Sequence, residues 1–580
     1  QTVALPVVVL AVVVLVLRRG GLHRPRLGVA HLVLALSVVV AFGLWWWAIR
    51  SPDTVPTYDD GANAGIFTAR IGLLGTVSPD RIIATDLGNG AGGVAYYPLA
   101  LHLVASFLVS LTGVGIPAAL HVEVATVVAI TLPVGAFALT RRLARELPGR
   151  SLRPGVAAAA AAVLAATVPS VPWGQLPWGA LALVSGVALL PGLLLLLHAL
   201  PTAGSGSAGP RLGLVLGVAT AGLFSVHSSE VATAAVLGVA LVIALAGRDG
   251  ARWRAVGRAL LVVVAAGVVL LGPVLPDLAG GLQERAAGTP GPAAGAGDAL
   301  AYGWYNLLSA PQLADQWGGR QRWLAWALTA LVVVGVVVAR RSRAVVALVV
   351  GSGVLALVAF GALVGSSFAQ RLATPWYANG YRLLVTLVVV VAVLVGIGAA
   401  ALAGRPWPRV ALVGVALAAF VAVPSVLLSA VIGSRTYAAY SVVTAADRDT
   451  YAWLAAHTGP GERVLNDSHD GSMWMYPLAG VAPVFGPKSD LWADPQWADR
   501  WYLLKNAADL GTDPRARAIA AEESVRYIAV GDRVVYGAGR QLDRAALAQS
   551  SVLREVYRSG SAVVFEIVPD AAAGAASTGT

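Results

Sequence analysis

The chain has 580 residues, 57% hydrophobic and only 12% charged, with mean hydropathy +0.74. That balance excludes an ordinary soluble domain and fits an integral membrane protein. Its net charge is +11, but the arginines are scattered through short loops between apolar runs, which reads as a topology signal and excludes a nucleic-acid-binding surface. The absence of cysteine removes disulfides, thiolate nucleophiles and cysteine metal sites.

Apolar runs able to cross a hydrocarbon layer of ~30 Å fall at 3–17, 27–49, 118–140, 155–171, 178–198, 211–228, 230–247, 256–275, 322–339, 344–364, 381–403 and 409–431. The first, Val3 to Leu17, lacks a basic start and a small-residue cleavage site, so no cleavable signal peptide is evident. With these about 12 spans, the loops carrying Arg18-Arg19, Arg141–Arg153, Arg211, Arg248–Arg258, Arg340–Arg343 and Arg405–Arg409 all share one side, which the positive-inside rule makes cytoplasmic. The segment 96–111 is apolar enough to insert, yet a full crossing there would put the Arg141–Arg153 loop outside. It is expected to lie in the interface within a long external region from 51 to 117; the alternative is a true crossing with the first span lost. The loops 172–177, 276–321 and 365–380 and everything after about 432 are then external, with an Ala/Gly/Pro-rich flexible stretch at 284–298.

After Ser441 the composition becomes that of a globular protein. Helices are expected at 446–457, 494–508, 513–523 and 540–549, and strands at 463–465, 481–485, 525–530 and 563–568. Ser559-Gly560-Ser561 is a hairpin signal. The sum is a small α/β domain over 440–570 behind a membrane domain over 1–435, with a disordered tail at 571–580.

Several groups could carry chemistry. Tyr58-Asp59-Asp60 follows the span ending in Trp45-Trp46-Trp47 and puts two carboxylates at the membrane surface, where either can serve as a general base. A solvated acidic loop or a turn cap is the simpler reading. His227-Ser228-Ser229-Glu230 sits at the external junction of two spans, where ionisable groups are costly and usually functional; for the serines a helix cap suffices, while for His227 and Glu230 both readings stand. His102, and His121 with Glu123, enter apolar surroundings, and the latter two are too close in sequence to share a helix face, so they make a poor metal pair. Arg371 and Arg382 bracket Pro375-Trp376-Tyr377-Ala378-Asn379-Gly380 on the side that arginines avoid, and a phosphate fork is the natural reason, with interfacial anchoring the simpler one. Trp173 and Trp178, with Trp304-Tyr305-Asn306, suit carbohydrate or an ordinary aromatic belt. Asn466 to Ser472, with His469, Asp470 and Trp474 close by, is a polar patch after a strand, read either as an acceptor contact or as a turn network.

With these features the chain resembles the GT-C superfamily of membrane glycosyltransferases, which use polyprenyl-phosphate sugars. Tyr58-Asp59-Asp60 matches the family's acidic first-loop position. Tyr97-Pro98 with His102, the His227–Glu230 segment, Trp376–Arg382 and Asp467–Trp474 are similar to uncharacterised actinobacterial members associated with envelope polysaccharide. The extra amino-terminal span departs from the simplest family plan. The resemblance implies a plasma-membrane enzyme that moves a sugar from a polyprenyl-phosphate donor to an envelope polysaccharide or glycolipid acceptor, by inversion or retention. Asp59 or Asp60 would be the base and Arg382 the phosphate ligand. It also implies substrate contacts from Arg371, Trp376, Tyr377, Asn379, His227, Glu230, His102 and Tyr97, and acceptor contacts from Trp173, Trp178, His469, Asp470 and Trp474. A divalent cation, Mg or Mn, could bridge the phosphate and the aspartates as in some members, although the sequence offers no independent ligand set. Two other classes compete: a flippase for a lipid-linked glycan, and a non-catalytic envelope glycan-binding or assembly protein. A flippase would favour charges near the midplane, whereas the ionisable groups here gather at the external lip.

Overall fold

A computed structural model describes residues 28–55, 59–75, 98–147, 152–176, 179–202, 208–272, 294–308, 322–404, 425–427, 429, 441–467, 469–486, 497–534 and 539–568; at 59–62, 302, 305–308 and 322 it describes the backbone alone. The expected spans at 3–17 and, for the most part, 409–431 lie outside these residues, as do most of the 284–298 stretch and the 571–580 tail.

The membrane part contains α1 (Val29–Ile49), α2 (Asp59–Leu74), α3 (Ala100–Thr112), α4 (Ile116–Arg145), α5 (Pro154–Trp173), α6 (Leu181–Thr202), α7 (Ala208–Val226), α8 (Ser228–Ala246), α9 (Gly250–Leu271), α10 (Ala296–Leu308), α11 (Arg322–Ala339), α12 (Arg343–Leu363), α13 (Ser367–Leu372) and α14 (Gly380–Ala403). Among the described residues nine helical segments are long and apolar enough to cross a membrane: α1, α4 to α9, α12 and α14, with α11 slightly shorter. The chain is a multi-pass membrane protein. α14 is the central helix, buried along nearly its whole length, with α5 on one side and α11 on another. α9 exposes Leu261, Val264 and Val269 instead, an apolar surface suited to lipid.

The two ends of the bundle differ in chemistry. At one end an Arg141 guanidinium nitrogen lies 3.3 Å from the His31 ring, His198 lies 3.1 Å from Glu146, and the Arg343 guanidinium approaches Gly247. Those contacts gather the start of α1, the ends of α4, α6 and α8 and the start of α12 into one arginine-rich rim. At the other end the Trp45 indole donates to the His121 carbonyl (3.1 Å), and His121 Nε2 donates to the Thr54 carbonyl (2.6 Å). The end of α1 and the start of α4 therefore meet on the same side, and α2 and α3 hang there between them. Within segment 96–111 the helix Ala100–Thr112 has 13 residues, about 20 Å at 1.5 Å per residue, shorter than the hydrocarbon layer.

The carboxy-terminal elements are α15 (Ala445–His457), β1 (Arg463–Asn466), α16 (Met475–Ala479), α17 (Ala498–Lys505), α18 (Pro514–Glu522), β2 (Val525–Val530), α19 (Arg544–Gln549), β3 (Leu553–Ser559) and β4 (Ala562–Ile567). The sheet order is β1-β2-β4-β3, with β1 parallel to β2 and the other pairs antiparallel. The expected hairpin closes where Ser559 pairs with Ala562. Segment 481–485 is not the expected strand: Pro483 has no N–H to give a ladder, and the segment makes one isolated bridge to Val464. Successive side chains alternate between faces. Leu465, Ile528, Val530, Val563 and Phe565 pack on Trp501, Leu504 and Ile519. Val464, Tyr527, Ala529 and Val564 pack on Tyr451, Leu454, Trp474 and, from the loop after α1, Val55.

That second layer joins the sheet to the membrane part. Val55 is fully buried in it, the Arg448 guanidinium donates to the Asp53 carbonyl, and the Arg70 guanidinium lies 5.8 Å from the Tyr476 ring centre. Gly65 of α2 is the closest approach, since a Cβ there would stand 2.6 Å from Trp474 Cζ3. Gly65→Val is expected to lower unfolding stability by about 1–3 kcal/mol, as overpacking does. The added Trp474→Leu change should recover part of that loss. Thermal unfolding in detergent, run as a double-mutant cycle, checks the coupling.

Candidate active site

α2 begins at Asp59 and Asp60 and is buried from Asn63 to Ile71. The side chains of both aspartates, and all of Tyr58, Tyr97 and Trp178, lie outside the described residues. The helix itself is well defined by its neighbours. Asn63 stands three and four residues after the two aspartates and so shares their helix face. It is 5% exposed, and its amide oxygen has no hydrogen-bond partner among the described residues. Arg70 lies two turns further along and is also buried. Neither residue stood out in the sequence, although their spacing from the aspartates was there to be read.

α3 packs along α2. His102 is 1% exposed, bonds to the Ala64 backbone and meets Phe67 edge-on at 5.3 Å. Burial pushes its pKa down to about 3, so it is a neutral ring that fixes α3 to α2. His121 likewise ties the start of α4 to Thr54.

Across the same end, α6 approaches the junction of α7 and α8. A Cβ on Gly186 would lie 2.7 Å from Glu230 Cγ and 2.8 Å from His227 Cβ, so only glycine lets the two helices close around that pair. Glu230 is fully buried, with its carboxylate 3.4 Å from His227 Nδ1. Ser229 is no cap: its hydroxyl donates to the Pro375 carbonyl (2.6 Å). One turn on, Thr233 Oγ1 accepts from the Trp376 indole (3.0 Å). The 366–380 loop is thereby fastened to α8. Asn379 caps α14, its side-chain oxygen accepting from the N–H groups of Tyr381 (2.9 Å) and Arg382 (3.2 Å). The Arg382 guanidinium sits 4.7 Å from the Tyr377 ring centre. Arg371 is exposed at the end of α13.

The other expected contacts are placed as follows. Trp376 is 4% exposed and Asn379 is engaged as a cap, so both help to build the loop. Trp173 is 1% exposed and donates to the Ala166 carbonyl (3.0 Å). Asp470 and Trp474 are fully buried. Asp470 accepts from the N–H groups of Ser472 (2.7 Å) and Gly531 (2.6 Å), and Asp467 accepts from His469, Gln541 and Leu542. The polar patch is a turn network; of its three expected acceptor contacts only His469 reaches the surface, where its ring meets the Gly539 carbonyl. Among the described residues no group of three His, Cys, Asp or Glu side chains is placed to hold a metal ion. A cation bridging the first-loop aspartates would draw on side chains that lie outside the described residues.

The comparisons agree with this architecture. The fold is similar to that of the Archaeoglobus fulgidus oligosaccharyltransferase solved in complex with Zn and sulfate, with TM-score 0.53 and 14% identity over 86% of this chain and 67% of that one. It is also similar to ArnT from Cupriavidus metallidurans bound to undecaprenyl phosphate, with TM-score 0.51 and 14% identity over 92% of this chain and 98% of that one. The same oligosaccharyltransferase tethered to an acceptor peptide matches at TM-score 0.51 and 12% identity, over 86% and 68% of the two chains. At these identities the likeness is one of fold: a GT-C-like polytopic helical membrane protein with a small carboxy-terminal sheet. The chain belongs to a family of unknown function (DUF6541), whose model matches residues 73–569 and so begins inside α2, beyond Asp59 and Asp60. No curated protein matches it.

The buried His102 makes a pH prediction. Its folded pKa lies below its ordinary value of 6.5, so the fold gains from the neutral ring above that value and loses the gain as pH falls from 6.5 towards 3. Linkage puts the loss at about 2 kcal/mol by pH 5. His102→Gln should remove this part of the acid sensitivity, measured as the difference in unfolding stability between pH 7.5 and pH 5.

Proposed function

We propose that the chain is a glycosyltransferase that moves a sugar from a polyprenyl-phosphate donor to an envelope glycan or glycolipid. One observation carries the reading. The first-loop helix, the His227–Glu230 pair, the Arg382 loop and the sheet all meet at the end of the bundle opposite the arginine-rich rim. With that rim cytoplasmic, the site faces outward in the plasma membrane, and residues 440–570 form an extracytoplasmic domain covering α2. The fold is similar to that of ArnT, which was solved bound to undecaprenyl phosphate, and to that of an oligosaccharyltransferase solved with a tethered acceptor peptide. The first adds weight to a polyprenyl-phosphate donor, and the second to transfer onto a separate acceptor.

In this mechanism the acceptor hydroxyl oxygen attacks the anomeric carbon. The carbon–oxygen bond to phosphate breaks, its electron pair leaves on the phosphate oxygen, and the hydroxyl proton passes to Asp59 or Asp60. Arg382 holds the phosphate as charge builds on it, which matters most where water is scarce. A cation in the first turn of α14 opposes the helix dipole, so Arg382 gains most when an anion sits beside it. Tyr377 supports that guanidinium, and His227 and Glu230 are buried at the start of α8, which Ser229 ties to the same loop and on which Gly186 lets α6 close.

Loss of the base should lower kcat by about 10²–10⁴-fold in Asp59→Asn or Asp60→Asn, read as sugar transfer in proteoliposomes. Full activity in both single variants and the double variant would sink this mechanism. Ion-coupled movement of a lipid-linked glycan without transfer would favour a flippase, and transfer-free glycan binding by the intact protein would favour a non-catalytic envelope role.

A further inference from the structure

The loop bearing Arg382 contains two consecutive non-glycine residues in the left-handed region, Tyr377 (φ 59°) and Ala378 (φ 51°). Side chains with a Cβ lose roughly 1–2 kcal/mol per residue there, and helix stops of this shape usually carry glycine. The stop is a complete one. Tyr377 N–H donates to the Thr374 carbonyl (2.9 Å), and Ala378 N–H donates back to the Ala373 carbonyl (3.0 Å).

What maintains the conformation is visible on both flanks. Upstream, the Pro375 carbonyl and the Trp376 indole are bonded to Ser229 and Thr233 of α8. Downstream, Asn379 caps α14. The chain between these anchors has to reverse within Tyr377 and Ala378. The reversal turns the Tyr377 ring onto the Arg382 guanidinium at 4.7 Å. Strain kept by surrounding structure is found where geometry serves function.

We infer that the Tyr377-Ala378 stop is a positioning device: its left-handed backbone holds the Tyr377 ring against Arg382 and so presets the guanidinium for the phosphate of a polyprenyl phosphate. The inference rests on the reading that Arg382 receives that phosphate, and adds the residues that aim it. Ala378 touches no substrate in this scheme. Its part is to fix a backbone that glycine would adopt without strain and also leave without cost.

The test uses full-length protein in nanodiscs, with undecaprenyl phosphate as the probe and thermal unfolding as the control. Ala378→Gly should keep or raise the unfolding midpoint, because strain is relieved, yet weaken undecaprenyl phosphate binding by about 3–10-fold, since the guanidinium is no longer preset. Tyr377→Leu should weaken binding similarly, by about 3–10-fold, because the cation–π contact that presets the guanidinium is lost, and Tyr377→Phe, which retains the ring, should keep the wild-type affinity. A merely structural turn would leave the affinity of Ala378→Gly unchanged, whatever the midpoint does. Wild-type affinity in both Ala378→Gly and Tyr377→Leu, alongside a clear loss in Arg382→Gln, overturns the positioning device alone. Wild-type affinity in Arg382→Gln, or no binding by the wild-type protein, overturns the phosphate reading and the device with it. If Tyr377→Leu does not fold, Ala378→Gly decides the question.

Discussion

A charged side chain at the centre of a bilayer costs at least about 2.5–3.5 kcal/mol, and the sorting of charge that follows is what the rest of this structure depends on. Arg141, Arg142, Arg145, Arg153, Arg248, Arg252, Arg254, Arg340, Arg341 and Arg343 all fall at or beside helix ends on one rim, tied by the His31–Arg141 and Glu146–His198 contacts. The opposite end is left to histidines, buried acids, aromatics and a few arginines. Once the rim is set, the parity of each span is fixed, and with it the location of every polar group that a reaction could use. The Trp45–His121–Thr54 bonds then decide the placement of the first loop, because they bring the end of α1 and the start of α4 together.

The second constraint is at Gly65. A backbone that admits the Trp474 ring where a Cβ would stand lets the sheet rest directly on α2, and Val55 extends the contact into the sheet's own core. The sheet is therefore a roof for the first-loop helix as well as an appendage of the chain. The family model spans both parts, from residue 73 to 569, which accords with a membrane bundle and a sheet that form one arrangement.

Much of this was legible in the sequence. Hydropathy placed the spans at 27–49, 118–140 and 381–403 close to α1, α4 and α14, because a lipid-facing or bundle-core helix must be apolar throughout. The sheet's strands at 463–465, 525–530 and 563–568 also showed, as short apolar runs that the structure buries almost continuously because both faces of the sheet are covered. Segment 481–485 did not behave as a strand, since apolar content alone does not provide the ladder donor that Pro483 lacks. The site was harder. Trp173, Trp376, Asp470 and Trp474 are residue types common at sugar sites, but burial is set by distant packing: Trp376 is covered by α8, and Trp474 by α2. No local pattern reveals such partners. Asn63 was missed for the converse reason, a single amide in an apolar helix that looked like filler.

The hydrogen bonds around the site show how the work is divided. Ser229, Thr233, Trp376 and Asn379 spend their polar atoms on loop and helix ends, and His102 and His121 spend theirs on backbone near α2. Those residues hold two things in place: the α2 helix that starts at the aspartates, and the turn that leads into Arg382. In the mechanism proposed above the base and the phosphate ligand belong to these two elements, and neutral, buried partners pack both. A bilayer favours that arrangement, since neutral hydrogen-bonding groups can be buried at little cost while charges are kept few and confined to the lip.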